Sequence, residues 1–134
     1  MNIVRWVLAL LLAAFFLYMA HFKFLPGVNA VFSTLAERSG IAAFEPFGRF
    51  GTGALEILTG ILLVLPATRR QGAMLGLLIL IGAIVFHFSP WLGIDVPGIG
   101  PSLFYTALAG LALNLVVLVL ESTGASTVTR DDHG

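Results

Sequence analysis

The stretch Phe47-Gly-Arg-Phe-Gly-Thr-Gly-Ala-Leu-Glu-Ile-Leu-Thr-Gly-Ile-Leu-Leu-Val-Leu65 holds a single carboxylate, Glu56, deep inside an apolar run. From Phe50 to Thr68 no other residue is charged. A run of this length matches the roughly 20 apolar residues that a helix needs to cross a hydrocarbon core. Three similar runs flank it, and together the four are expected as membrane-spanning helices over about 3–22, 47–65, 72–88 and 102–120. The fold class implied is all-α: a polytopic four-helix transmembrane bundle over 1–122, with residues 123–134 expected as a disordered C-terminal tail.

Composition supports that reading. Only 10% of the 134 residues are charged, mean hydropathy is +1.00, and soluble domains carry roughly 25% charged residues. The chain lacks the polar surface of a water-soluble globule. Net charge is zero, so no basic face points to nucleic acid. With no cysteine, the chain alone offers no disulfide, thiolate metal site or iron–sulfur ligation. The first apolar run is too long for a secretory signal and ends in no small-x-small cleavage site, so it is expected to be retained.

The connections add detail. Pro66-Ala-Thr-Arg-Arg-Gln71 is a tight polar turn with adjacent arginines. The positive-inside rule places it in the cytoplasm with both termini. In the long loop 23–46, Val28, Val31, Phe32, Leu35 and Ala36 recur at helical spacing opposite Asn29, Ser33, Glu37 and Arg38. That pattern predicts a short amphipathic helix at the outer interface. His21-Phe-Lys-Phe-Leu-Pro-Gly27 and His87-Phe-Ser-Pro-Trp-Leu-Gly93 close alternate spans and hint at two like hairpins, which would set Gly110 opposite Glu56 in the repeat and leave space beside the acid.

Depth then sorts the polar groups. Glu56 lies nine residues beyond Phe47, roughly 13 Å below the outer boundary at helical rise. Arg49 is two turns above it on nearly the same face, and Tyr18, His21 and His87 fall in the same outer half. Thr59 and Asn114 alone occupy the inner half, expected as hydrogen-bonding glue between the second and fourth spans. An ionised acid facing lipid costs at least about 2.5 kcal/mol, so Glu56 is expected to face the bundle interior. Lys23 near a helix end is expected to snorkel to headgroups, and Arg49 either snorkels or lines the polar cluster. Gly72-x-x-x-Gly76, Gly53 and Gly60 are expected to permit close helix approach.

Phe22-Lys-Phe-Leu-Pro-Gly27, the Gly51-to-Pro66 segment around Glu56, the Arg69-Arg-Gln-Gly-Ala73 turn and Gly82-Ala-Ile-Val-Phe-His-Phe88 together resemble the DoxX and DoxX-like membrane proteins over residues 1–120. The resemblance implies a four-helix inner-membrane protein, in some members a subunit of quinone-linked sulfur or thiol redox systems. Members with a thiol-reducing role carry cysteines, and this chain has none.

Three functions stand as expectations. The first is a membrane subunit binding a small amphipathic ligand, quinone or lipid, in an outer-half pocket of Glu56, Arg49, His87, His21 and Tyr18. Glu56 is the candidate for proton exchange there. The second is a non-catalytic assembly subunit of a larger membrane complex or a homo-oligomer. The third is a b-type cytochrome with His21 and His87 as axial haem ligands. No metal site is expected.

Overall fold

Small and large apolar residues alternate on one stripe of the first span, and that stripe is what the bundle buries. The computed structural model describes residues 3–27 and 29–131, with side chains to residue 123. Helix α1 (Ile3–His21) turns Ala9, Leu12, Ala13, Phe16 and Ala20 inward, and Phe22–Phe24 tighten into a 3-10 turn at its end. Helix α3 (Phe47–Val64) is built the opposite way from a soluble helix. Its buried face is Arg49, Gly53, Glu56, Thr59, Gly60 and Leu63, while Phe50, Leu55, Leu58 and Ile61 point outward. Polar and small residues inside and apolar ones outside is the pattern that lipid solvent selects.

Helices α4 (Arg69–Phe88) and α5 (Ser102–Asp131) complete a ring in which α1 packs on α3, α3 on α4, α4 on α5 and α5 on α1. Four helices, spanning Ile3–Phe24, Phe47–Val64, Pro66–Phe88 and Ser102–Thr123, are long and apolar enough to cross a membrane. The chain is an all-α integral membrane protein, a four-helix bundle. The residues expected as a tail beyond Thr123 have no described side chains, and 132–134 lie outside the described residues.

The two ends of the bundle are made differently. At the turn end, where α3 meets α4, Ala9, Leu12, Phe16, Leu63, Ala73 and Val117 fill the interior. Arg69, one of the two arginines of the expected polar turn, is fully buried there. Its Nε donates to the Leu63 carbonyl at 3.0 Å, its guanidinium lies 4.3 Å over the Trp6 ring, and Nη1 is 3.6 Å from Glu121. Arg5 reaches the same carboxylate at 2.7 Å. Glu121, at the end of the expected bundle, is therefore a buried member that ties α5 to α1 and α4.

At the loop end, α2 (Ala30–Ser39) lies across the bundle. Asn29 caps it by accepting from the Val31 and Phe32 amides at 3.0 and 3.3 Å, and Gly40, at φ 77°, stops it. The short amphipathic helix is thus present. Its Thr34 and Leu35 are buried, and Leu35 packs with Leu92 and Val96 of the α4–α5 loop. Arg38 donates to the Leu92 carbonyl at 3.3 Å, fastening α2 to that loop. Val28 lies outside the described residues.

Candidate ligand cavity

Glu56 sits mid-helix on the buried face of α3, and its partner is Lys23. The 3-10 turn after α1 swings Lys23 inward, so that its Nζ reaches the Met19 carbonyl at 3.2 Å and Glu56 Oε1 at 2.6 Å. Both side chains are largely shielded, 12% and 5% exposed. Gly53, just under one turn before Glu56, makes this possible. A Cβ there would stand 3.2 Å from Lys23 Cβ and 2.7 Å from the Phe24 ring. The glycine lets the Lys23–Phe24 segment lie directly on α3.

Lys23, expected to snorkel, is instead drawn down by the acid. A single ammonium satisfies both an end carbonyl of α1 and a carboxylate that lipid would not tolerate. Arg49 neither snorkels nor joins Glu56. It pairs with Glu45 at 2.7 Å, donates through Nη1 to the carbonyls of Lys23 and Leu25 at 3.1 and 3.2 Å, and stacks 4.5 Å over Phe50. Its work is to clamp the segment that carries Lys23.

The two histidines, so alike in sequence, part company. His87 is buried, with Phe104 edge-on at 5.7 Å, and its Nδ1 is 2.9 Å from the Gly93 carbonyl. A carbonyl only accepts, so Nδ1 holds the hydrogen and Nε2 is the nitrogen left over. His21 is exposed, its Nδ1 donating to the Tyr18 carbonyl and its ring against Phe22. Tyr18 is 60% exposed beside it. Of the five expected site residues, Glu56 and His87 line one cavity, Arg49 supports it indirectly, and His21 and Tyr18 face outward. The two histidines expected as haem ligands do not share a common space.

That cavity has a volume of about 560 Å³, within the range of small-molecule sites. Phenylalanines 15, 16, 32, 44 and 86 supply much of its wall. Polar groups are few: Lys23, Asn29, Thr52, Glu56 and His87. The Asn29 side-chain oxygen is engaged in capping α2, which leaves its amide NH2 with Lys23, Glu56, Thr52 and His87 to address an occupant. Lys23 and Glu56 cancel in charge, so the space suits an uncharged molecule with hydrogen-bonding atoms at one end.

Other polar expectations resolve locally. Asn114 donates to the Ala73 carbonyl at 2.8 Å and so joins α5 to α4, the third span rather than the second. Thr59 bonds back to Leu55 of its own helix at 2.8 Å and bridges nothing. The gap foreseen beside Gly110 is filled by Phe15, whose ring would stand 2.5 Å from a Cβ there. The glycines do permit close approach: a Cβ at Gly60 would be 2.9 Å from Leu17, and one at Gly76 would be 2.4 Å from Asn114 Oδ1.

Sequence reasoning does not find Lys23 or Thr52 as site residues. The available signal is Gly53, a small residue on the acid's own face just where a neighbouring chain must press close.

Compared with protein-family models, with curated proteins and with solved structures, the chain finds no match.

Proposed function

We propose that this chain is a DoxX-like integral membrane subunit that binds a small amphipathic molecule, of quinone or lipid chemistry, around Glu56 and serves a membrane redox system. The observation that carries the reading is the cavity of about 560 Å³, apolar in its walls, with polar groups from the turn after α1, from α3 and from α4. A filled bundle would serve an assembly subunit equally well, and the empty volume favours ligand binding over that role.

Chemistry narrows the occupant. Lys23 offers an N–H to a carbonyl or hydroxyl oxygen. Glu56 and the free nitrogen of His87 accept a hydrogen from a hydroxyl. A quinone head and its reduced dihydroxy form present these atoms in turn, with flat faces suited to phenylalanine walls. Two-electron reduction of such a head takes up two protons, and Glu56 and His87 are groups able to hold one beside its oxygens. The electrons would come from a partner, since the cysteine-free chain has no redox-active thiol.

The test is mass spectrometry of protein purified gently from its native membrane. The wild-type chain is expected to retain a quinone or single lipid species at near one per chain, and Glu56→Gln to lose most of it. Equal retention by both, or none by either, overturns the reading.

A further inference from the structure

Helices α3 and α4 touch at the turn end and part toward the loop end. At the turn end they are in backbone contact, for a Cβ on Gly72 would stand 2.9 Å from the Leu63 nitrogen. At the loop end Phe44, in the 3-10 turn before α3, meets Phe86 of α4 edge-on at 5.8 Å and closes the space above. Between these points the pair diverges. Gly82 on α4 lines the cavity, yet a Cβ added to it would meet nothing within 4 Å.

Two residues mark the sill of the opening. Leu55 and Leu78 line the cavity and are 46% and 69% exposed. Leu55 lies nine residues before Val64 and Leu78 nine after Arg69, so both stand about 14 Å from the turn by helical rise. They therefore flank the same depth, midway along spans whose outer surface faces acyl chains. Thr52 and Gly82 also line the cavity, about one turn nearer the loop end.

We infer that this gap is a lateral window through which the occupant enters from the bilayer, head first toward Lys23 and Glu56, leaving an apolar tail lying between α3 and α4. The inference rests on the ligand-binding reading above and adds its route and a constraint on its chemistry. The occupant is a tailed amphiphile that partitions into the membrane. A water-soluble metabolite arriving through α2 and the α4–α5 loop is not the cargo. The bare helix surface at Gly82 keeps the window open, because a bulky side chain there would project into it.

The test uses the full chain in phosphatidylcholine vesicles with decylubiquinone carrying a diazirine near the tail end as probe. Photolysis is expected to give adducts on the Leu55 and Leu78 sides of α3 and α4 that unlabelled decylubiquinone competes away. Gly82→Trp should lower their yield at least tenfold, and Gly82→Ala should keep it within twofold. Leu55→Trp, at an already exposed position, is a second block that does not depend on how well Gly82→Trp folds.

Competable adducts at Ala30 or Ile99, or undiminished yield in both tryptophan variants, overturn the window while leaving the binding site in place. No competable adduct anywhere overturns the ligand-binding reading, and the window with it.

Discussion

The turn end and the loop end of this bundle each bury a carboxylate against cations, and they do so to different purpose. At the turn end Glu121 is held by Arg5 and Arg69 within an interior that apolar side chains fill. At the loop end Glu56 is held by Lys23 alone, beside about 560 Å³ of unfilled space. The first arrangement joins three helices. The second joins two and keeps polar atoms turned toward a cavity. A buried charge is not in itself evidence of function, and the space next to it is what separates the two cases.

That contrast is open to attack by mutation. Glu121→Ala strips two buried or half-buried arginines of their shared acid, and removing one side of a buried ionic contact costs about 3–5 kcal/mol. Thermal unfolding in detergent should show a large drop in midpoint. A drop no larger than that of an exposed-site variant would mean that the turn end is not the structural anchor described.

A smaller effect compares two glycines on α4. Gly72→Ala pushes a methyl to 2.9 Å from the Leu63 backbone and should cost about 1–3 kcal/mol through overpacking. Gly82→Ala meets open space and should change stability by less than about 0.5 kcal/mol, helped by alanine's better helix propensity. Equal losses at both positions would mean that α3 and α4 stay parallel and in contact, with no opening between them.

Much of the fold is legible in the sequence because lipid leaves the backbone few choices. The hydrophobic runs locate all four spans, and the spacing of Val31, Phe32 and Leu35 locates α2. Glu56 is equally legible, since an acid flanked by leucines and glycines within a span has to turn inward. Its partner is not. Lys23 lies past the end of α1, and the rule that such lysines reach for headgroups holds only when nothing nearer competes. The 3-10 turn and the bare surface of Gly53 bring Glu56 nearer.

Arg69 and Glu121 escape a sequence reading for a related reason. Position near a span's end describes exposure to lipid and water, whereas the Trp6 ring and the Leu63 carbonyl that receive Arg69 come from other helices. His21 and His87 teach the same lesson from identical His-Phe endings. The segment downstream of each histidine decides its fate, and only the loop after His87 returns a glycine carbonyl to its ring.

The central claim is that Glu56 serves a ligand while Glu121 serves the fold. The measurement that meets it head-on is the affinity for decylubiquinone of wild type, Glu56→Gln and Glu121→Gln, each normalised to its folded fraction. Glu56→Gln is expected to bind at least tenfold more weakly, about 1.4 kcal/mol, with Glu121→Gln within twofold of wild type. Parallel losses in the two variants, or full affinity without the Glu56 carboxylate, would contradict the account.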